Sequence, residues 1–231
     1  MISSQAQIGE NVTFGKGVII EHDAIIGNNV KIGHYSIIET GTIIGDNCLI
    51  GSHVKLGKST ARNANMISNK DEEIFPLTIG NEVIISDHCV LYHSTIINNQ
   101  VFIGDLASIR EQVVVGKNSV IGRQAIIENQ TQIGKQVTIQ TGSYITANMI
   151  IEDEVFIGPC CSTSNDKYMK SGGKNLKGPI IKKGAKLGNH ATLLPNITIG
   201  EFAIIGAGAI VVKDVNARET IIGVAGKLLD K

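Results

Sequence analysis

The sequence predicts an all-β solenoid in which short parallel strands coil around one continuous core. Three observations support this class: an aliphatic residue followed by Gly recurs at multiples of six residues, the nearby inward positions are small or β-branched, and the 231 residues contain no Trp. A fixed short period is typical of folds whose units become stable only by stacking on their neighbours. We therefore expect one domain over residues 1–231. The pairs begin at Ile8, Ile26, Ile32, Ile44, Ile50, Leu56, Ile79, Ile103, Val115, Ile121, Ile133, Ile157, Leu187, Ile199 and Ile205.

Each six-residue unit has a large aliphatic residue at its first position and a small or β-branched residue at its fifth. Two inward residues per unit, with three units per turn, predict a triangular coil whose parallel strands stack turn on turn. Each fully buried aliphatic side chain contributes roughly 1.5–3 kcal/mol. We expect the Gly at the second position to supply a backbone conformation that larger residues adopt only at a cost. Between residues 79 and 108 the inward residues are Ile79, Val83, Ile85, Cys89, Leu91, Thr95, Ile97, Val101, Ile103 and Ala107.

Composition limits the classes of function. The 21 basic and 21 acidic residues balance, so charge predicts no nucleic acid and no membrane surface as a partner. No segment is long and apolar enough for a signal peptide or a membrane span, which predicts a cytoplasmic protein. Cys48, Cys89, Cys160 and Cys161 lack the spacing of a zinc site or a disulfide framework, so we expect most of them to be buried and reduced.

Two insertions interrupt the repeat, at residues 58–77 and at residues 162–177. The first reads KSTARNANMISNKDEEIFPL and is polar and rich in Asn, and the second reads STSNDKYMKSGGKNLK. Inserted loops need not obey the packing of the coil, so functional residues tend to concentrate there. With one loop in each half of the chain, we expect two ligands; the alternative is a pair of solvated loops.

The C-terminal half carries motifs of a known family. These are SNDKY at residues 164–168 and GAGAIVVKDV at residues 206–215. Together with the six-residue period over residues 5–215, they resemble the hexapeptide-repeat, left-handed β-helix family. Within it they are most similar to nucleotide-sugar N-acyltransferases that act on dTDP-4-amino-4,6-dideoxyglucose or dTDP-3-amino-3,6-dideoxyhexoses. The resemblance implies a left-handed parallel coil, a homotrimer with active sites between adjacent subunits, and acyl-CoA as the co-substrate.

The resemblance also implies that coenzyme A lies along the C-terminal coils. Small residues there permit close approach of its pantetheine arm, and lysines suit its phosphates. For each lysine a solvated surface position is the alternative. The residues expected to bind coenzyme A are Asn165, Lys182, Gly188, Gly206, Ala207 and Lys213.

His93 is the first candidate for catalysis. It occupies the third position of its unit, where relatives place a His that takes the proton of the attacking amine. Those relatives follow it with an acidic residue, whereas this chain has Ser94, so the residue that would orient His93 is missing from the pattern. Asp105 and Glu111 are further candidates, either to hold an ammonium group or to accept its proton.

The nucleotide part of the acceptor needs hydrogen-bond donors and cations. Arg110, beside Glu111, is a candidate for a phosphate contact, and the first loop offers donors for a diphosphate and for base edges. The loop candidates are Arg62, Asn63, Asn65 and Lys70.

Several alternatives stay open. The departing coenzyme A sulfur could collect the proton, in which case alignment of the reactants drives the reaction. The same coil occurs in zinc lyases of the γ-carbonic anhydrase type; His53, His88 and His93 have a similar spacing but different positions in their units, so we expect no metal. An O-acetyltransferase of the same fold and a non-catalytic scaffold are the remaining alternatives.

Overall fold

The computed structural model describes residues 1–61, 63, 73–171 and 176–226. Within these residues the chain forms 31 short strands, all pairing in parallel, and no helix. Successive strands enter three sheets in strict rotation, so each turn of the coil gives one strand to each of three faces. The predicted class, a left-handed parallel β-helix of hexapeptide repeats, is confirmed. The described residues include no helix long and apolar enough to cross a membrane.

Each face is one continuous sheet that runs the length of the coil. The strands of the first face are β1 (Gln7–Ile8), β4 (Ile25–Ile26), β7 (Ile43–Ile44), β10 (Thr78–Ile79), β13 (Ile96–Ile97), β16 (Val114–Val115), β19 (Gln132–Ile133), β22 (Ile150–Ile151), β25 (Ile180–Ile181) and β28 (Thr198–Ile199). Those of the second face are β2 (Thr13–Phe14), β5 (Lys31–Ile32), β8 (Leu49–Ile50), β11 (Ile84–Ile85), β14 (Phe102–Ile103), β17 (Val120–Ile121), β20 (Thr138–Ile139), β23 (Phe156–Ile157), β26 (Lys186–Leu187), β29 (Ile204–Ile205) and β31 (Thr220–Ile221). Those of the third face are β3 (Ile19–Ile20), β6 (Ile37–Ile38), β9 (Lys55–Lys58), β12 (Val90–Tyr92), β15 (Ser108–Ile109), β18 (Ile126–Ile127), β21 (Tyr144–Ile145), β24 (Ser162–Thr163), β27 (Thr192–Leu193) and β30 (Ile210–Val211).

The core consists of the first and fifth positions of each unit. All ten residues assigned inward between residues 79 and 108 are at most 1% exposed. The buried Thr95 hydroxyl donates to the carbonyl of Arg110 at 2.7 Å, one coil further on, so this polar side chain is satisfied inside the core. Cys48, Cys89 and Cys161 are buried, as expected, whereas Cys160 is exposed. Burial raises the pKa of the Cys89 thiol to about 11, so this thiol stays protonated at neutral pH.

Apart from Gly57, the glycines at the second position do not serve the purpose predicted from the sequence. The left-handed backbone conformation falls instead at the fourth position, for example at Glu82 (φ 57°) and His88 (φ 60°). A Cβ atom added to Gly122 would stand 2.6 Å from the backbone nitrogen of Thr141. The second position therefore needs Gly because the next coil approaches closely, and the expectation based on conformation was wrong.

Both insertions leave the coil after a strand of the third face. Paired strands are normally 18 residues apart, but Thr78 pairs with Ile43, 35 residues earlier, and Ile180 pairs with Ile150, 30 residues earlier. The first insertion follows β9 and the second follows β24. Because Ser162–Thr163 forms β24, the second loop starts two residues later than the predicted boundary at residue 162.

Candidate functional site

One edge of the prism differs from the other two. We number each corner after the face that precedes it, so the third corner follows the third face. At the first and second corners the residue after the strand is usually Gly. At the third corner larger residues replace Gly everywhere except at Gly57. In chain order the second positions at the third corner are Glu21, Glu39, Gly57, Tyr92, Arg110, Glu128, Thr146, Ser164, Leu194 and Val212. These side chains form a column along this edge.

Five of the predicted site residues lie at the third corner, and both insertions start there. Arg110 occupies a second position, and the other four occupy third positions. Sequence reasoning distributed them between two separate ligands; the structure aligns them along one edge. They are His93, Arg110, Glu111, Asn165 and Lys213.

His93 is half-buried, and its ring contacts the next residue along the chain. Its Nδ1 atom lies 3.0 Å from Oγ of Ser94, and its backbone N–H donates to the carbonyl of Lys58 at 3.1 Å. The acidic neighbour found in relatives is absent, as the sequence indicated, and the Ser94 hydroxyl contacts the ring instead. Ser94 also contacts the end of the first insertion, which lies outside the six-residue repeat. The period of the sequence therefore could not predict this contact.

Gly57 marks the point where the first insertion departs. It has a φ of 82°, and the register of β9 and β12 shifts so that Tyr92 pairs with Lys58. Fifth-position hydroxyls elsewhere donate to the second-position carbonyl one coil on, and Thr42 would reach Gly57 by this rule. Among the described residues its buried hydroxyl has no hydrogen-bond partner, which costs about 1–3 kcal/mol. The insertion is thus made at a local cost in stability.

A charge cluster follows Tyr92 along the same corner. Nε and Nη2 of Arg110 donate to the two carboxylate oxygens of Glu111 at 2.8 and 3.0 Å. Nη1 of Arg110 lies 3.5 Å from Oε2 of Glu128. Glu111 is only 5% exposed, and its hydrogen bonds are the main reason that the pKa of Arg110 is raised. Because one guanidinium faces two carboxylates, the cluster carries one net negative charge when all three are ionised.

Glu128 and Tyr92 belong to this group of contacts at the third corner, and neither was predicted from the sequence. Burial raises the pKa of Glu128; Arg110 opposes this shift, and Glu111 adds to it. Two cations lie over the Tyr92 ring, with Lys58 Nζ and Arg110 Cζ each 5.0 Å from its centroid, so both form cation–π contacts with it. The replacement of Gly in every third unit, with Gly57 as the exception, is the sequence signal that could have identified both residues.

A cavity of about 660 Å³ lies at the C-terminal end of the third corner. Asn165 and Lys213 both line it, so the structure brings these two predicted residues together. Asp166 shapes its wall by accepting the backbone N–H groups of Tyr168 and Lys170 at 2.9 and 2.7 Å. These bonds, that from Lys170 first, lower the pKa of Asp166.

The remaining predicted coenzyme A residues lie at other corners of the same chain. Gly188, Gly206 and Ala207 follow strands of the second face, and Lys182 follows the first face. A Cβ atom on Gly188 would stand 2.6 Å from the nitrogen of Ala207, so stacking of the coils already requires glycine there. Lys182 Nζ forms an ion pair of 2.7 Å with Glu152. Within one chain these four residues do not reach the cavity of Asn165 and Lys213.

Asp105 also lies away from His93, at the second corner. Its Oδ1 accepts the backbone N–H of Asp87 at 3.2 Å, in the same way that Asp87 accepts the N–H of Ser52 at 2.6 Å. This position therefore has a structural use in the coil. Of the residues predicted for the nucleotide, Asn63 is exposed, whereas Arg62, Asn65 and Lys70 lie outside the described residues.

The three histidines of the zinc-lyase alternative do not converge within the chain. His53 and His88 stack at the second corner with ring centroids 5.0 Å apart, and Tyr35 stacks beneath His53 at 5.3 Å. His93 lies at the third corner. In the part of the chain that the structure describes, no three His, Cys, Asp or Glu side chains are grouped as metal ligands.

Comparison with known families agrees with the repeat. Residues 5–39 and 23–58 match the family described as bacterial transferase hexapeptide (six repeats). This match covers residues 5–58, about a quarter of the chain, and falls on the six-residue repeat. Residues 74–156 match the family described as the GMPPB C-terminal domain.

Curated relatives match part of the chain. Serine acetyltransferase of Buchnera aphidicola subsp. Schizaphis graminum is 35% identical over 91 residues, which is 39% of this chain and 34% of the relative. Serine acetyltransferase of Bacillus subtilis is 30% identical over 103 residues, 40% of this chain and 48% of the relative. The chain thus spans between about a third and a half of the length of these relatives.

Solved structures with a similar coil include two acyl-transferring enzymes. UDP-N-acetylglucosamine acyltransferase from Campylobacter jejuni is 22% identical with a TM-score of 0.44, covering 72% of this chain and 69% of that one. PerB from Caulobacter crescentus, in complex with CoA and GDP-perosamine, is 23% identical with a TM-score of 0.42, covering 54% of each chain.

Proposed function

We propose that this protein is an N-acyltransferase that moves an acyl group from acyl-CoA to the amino group of a nucleotide-linked amino-deoxysugar. The observation that carries this proposal is the composition of the third corner. There a His with an orienting hydroxyl, a cluster with one net negative charge, and a cavity beside Lys213 follow one another along a single edge. This order supplies a base, a site for an amine and a site for an anionic co-substrate.

The proposed reaction is direct attack of the neutral amine on the thioester carbonyl. A C–N bond forms, the C–S bond breaks, and the coenzyme A thiolate leaves. His93 takes the proton of the attacking amine, a role that suits an imidazole near neutral pH. The excess carboxylate of Glu111 and Glu128 beside Arg110 attracts the ammonium form of the acceptor, which releases one proton to solvent and becomes the neutral amine that attacks.

Acyl-CoA is proposed to bind along the C-terminal coils as co-substrate, with no metal. Lys213 and Asn165 would contact it at the third corner, and Lys182, Gly188, Gly206 and Ala207 at the other two. Residues at different corners of one chain can contact one ligand only if a neighbouring subunit brings its own corner alongside. The proposal therefore includes a homotrimer with active sites between adjacent subunits.

The dTDP-linked amino-dideoxyhexoses are the proposed acceptors. Arg62, Asn63, Asn65 and Lys70 would bind the nucleotide from the first insertion, with Arg110 close to the sugar. Asp105 is retained as an acceptor contact from the second corner of a neighbouring subunit. We place the reaction in the cytoplasm, where acyl-CoA is formed.

Transfer to a hydroxyl is the second candidate function. The similarity to serine acetyltransferases favours it, since the same base could take a hydroxyl proton. The two candidates give the charge cluster different roles. An amino acceptor is positively charged before it reacts and would be attracted by the negative cluster, whereas a sugar hydroxyl is neutral and would not.

A thioester assay tests the proposal. Purified protein would be incubated with acetyl-CoA and a panel of dTDP-, UDP- and GDP-linked amino sugars, their matched hydroxyl sugars, and serine, and thiol release and product mass would be followed. We expect an amide product with at least one amino sugar. An ester product from hydroxyl acceptors alone would favour the second candidate. Absence of both product and acetyl-CoA binding by calorimetry would contradict the proposed function.

A further inference from the structure

Ser94 makes a set of contacts that goes beyond fixing the direction of one ring. Its Oγ accepts the backbone N–H of Phe75 at 2.9 Å and lies 3.3 Å from the Phe75 carbonyl oxygen. The same Oγ lies 3.0 Å from His93 Nδ1. Phe75 belongs to the end of the first insertion, so Ser94 connects that segment to the proposed base.

The Ser94 hydroxyl has one proton and can accept two. If it donates to the Phe75 carbonyl, then Oγ faces His93 as an acceptor, and the proton of the neutral imidazole must be on Nδ1. The site then contains three hydrogen bonds around Oγ. If the hydroxyl instead donates to Nδ1, the imidazole carries its proton on Nε2, and the contact with the Phe75 carbonyl is lost. Counted around Oγ, among the described residues, the first arrangement therefore satisfies one more polar contact than the second.

We infer that Ser94 is a positioning residue that holds His93 in its Nδ1–H tautomer, with the main chain of Phe75 fixing the direction of the hydroxyl. This inference rests on the proposed function only in the role it gives His93. With the proton on Nδ1, the lone pair of the ring is on Nε2, the atom that would take the proton from an acceptor. When Nε2 is protonated, Nδ1–H still donates to Ser94, so the ring need not turn during the reaction.

Backbone hydrogen bonds connect His93 and Ser94 to residues at both ends of the first insertion. The N–H of His93 donates to the carbonyl of Lys58 at 3.1 Å, and the N–H of Ser94 donates to the carbonyl of Phe75 at 2.8 Å. Ser94 has a φ of 58°, the left-handed conformation shared by fourth positions of the coil. Because these bonds fix the backbone, a change of the Ser94 side chain can be tested without removing the main-chain support.

Nitrogen NMR of the histidine side chains tests the inference directly. Protein labelled with ¹⁵N in its histidines would be recorded at about pH 8.5, some two units above the ordinary pKa of His. The His93→Asn variant identifies the His93 signals among the six histidines. We expect His93 to carry its proton on Nδ1, and the Ser94→Ala variant to shift the population toward the Nε2–H tautomer.

Kinetics supply the second readout. In the Ser94→Ala variant we expect kcat to fall about tenfold with little change in KM for the acceptor, because the base is misdirected while the binding groups remain. Ser94→Asn is the matched variant, since Asn118 and Asn148 already occupy the left-handed fourth position and an amide oxygen can accept from Nδ1–H. It should keep the Nδ1–H tautomer and recover most of the rate.

The two proposals fail in different ways. An Nε2–H tautomer in the unaltered protein, or an Nδ1–H tautomer that persists in Ser94→Ala, would overturn the role of Ser94 even if the protein acylates amino sugars. An Nδ1–H tautomer that responds to Ser94→Ala supports this inference even in a protein that transfers no acyl group, because the measurement needs no substrate.

Discussion

The second and third corners are built from the same six-residue unit, but their side chains have different partners. At the second corner, Gly122 lies against the next coil, Asp87 and Asp105 accept backbone N–H groups, and His53 stacks on His88. At the third corner, glycine is replaced by larger side chains that contact one another. The comparison shows that corner residues bound to the coil itself contribute to its structure, whereas a column of side chains not needed for stacking is available for chemistry.

The largest expected difference between the corners is catalytic. His93→Asn should lower kcat by at least about 10²-fold, since it removes the proposed base. His88→Asn, at the second corner, is the matched control and should change kcat less than about twofold, because that ring only stacks on His53. Initial rates of thiol release from acetyl-CoA, with the preferred amino sugar, measure both. Equal losses in the two variants would remove the functional distinction between the corners.

Stability should show the opposite pattern. Gly122→Ala should lower the free energy of unfolding by about 1–3 kcal/mol, because its Cβ would meet the backbone of the next coil. Glu21→Ala, at the same position of its unit but at the third corner, should change it by less than about 0.5 kcal/mol. Denaturant unfolding followed by circular dichroism measures both. A Gly122→Ala protein as stable as the unaltered one would show that the corners are equally tolerant.

Coenzyme A affinity distinguishes the third corner from the first. Lys213→Ala should weaken acetyl-CoA binding about fivefold, or roughly 1 kcal/mol, by removing one charge-assisted contact in the cavity. Lys135→Ala is the control, because Lys135 is an exposed residue at the third position of a first-corner unit. Titration calorimetry gives both dissociation constants. If the two variants bind alike, Lys213 has no part in the site.

The smallest expected effect is on the pH dependence of stability. The pKa of Glu128 is raised by burial, so the stability this group contributes is present at low pH and is lost as pH rises through its folded-state pKa. Glu128→Gln should therefore raise the free energy of unfolding at pH 7 by up to about 1 kcal/mol, and the gain should vanish below the ordinary value of 4.5.

Glu152, at the first corner, provides the control of opposite sign. Its pKa is lowered, chiefly by the hydrogen bond from Lys182, so its stabilising contribution is present at neutral pH and is lost as pH falls through its folded-state pKa. Glu152→Gln should lower stability at pH 7. Unfolding midpoints between about pH 3.5 and 7.5 measure both variants, and a shift of the same sign in both would contradict the assigned environments.

The fold could be predicted because one rule fixes every inward residue. A period of six determines that Ile79 and Val83 face the core, whatever their neighbours are. The site was predicted only in part, because the position within a unit does not say which corner the unit builds. Asp105 and Glu111 both occupy third positions, but they are one unit apart and therefore lie at different corners.

Contacts that leave the repeat could not be predicted from it. The pairing of Ser94 with Phe75 joins the coil to an inserted segment, whose path has no period. The Thr42 hydroxyl, which has no hydrogen-bond partner in the part of the chain that the structure describes, has the same origin, since the chain leaves the coil at Gly57. By contrast, the sequence does show larger residues such as Tyr92 and Glu128 in place of Gly in the units of the third corner. Counting the corners separately therefore identifies the edge to which we assign the acceptor.

The location of acceptor binding is the central claim, and hydrogen–deuterium exchange measures it most directly. Exchange would be compared with and without the amino sugar that gives the highest rate in the acceptor panel. We predict that the sugar slows exchange at third-corner segments 92–94, 110–112 and 128–130, and leaves second-corner segments 15–17 and 33–35, which lie several coils before Asp105, unchanged. Slowing confined to the second corner, with none at 110–112, would contradict the assignment of the third corner as the acceptor site.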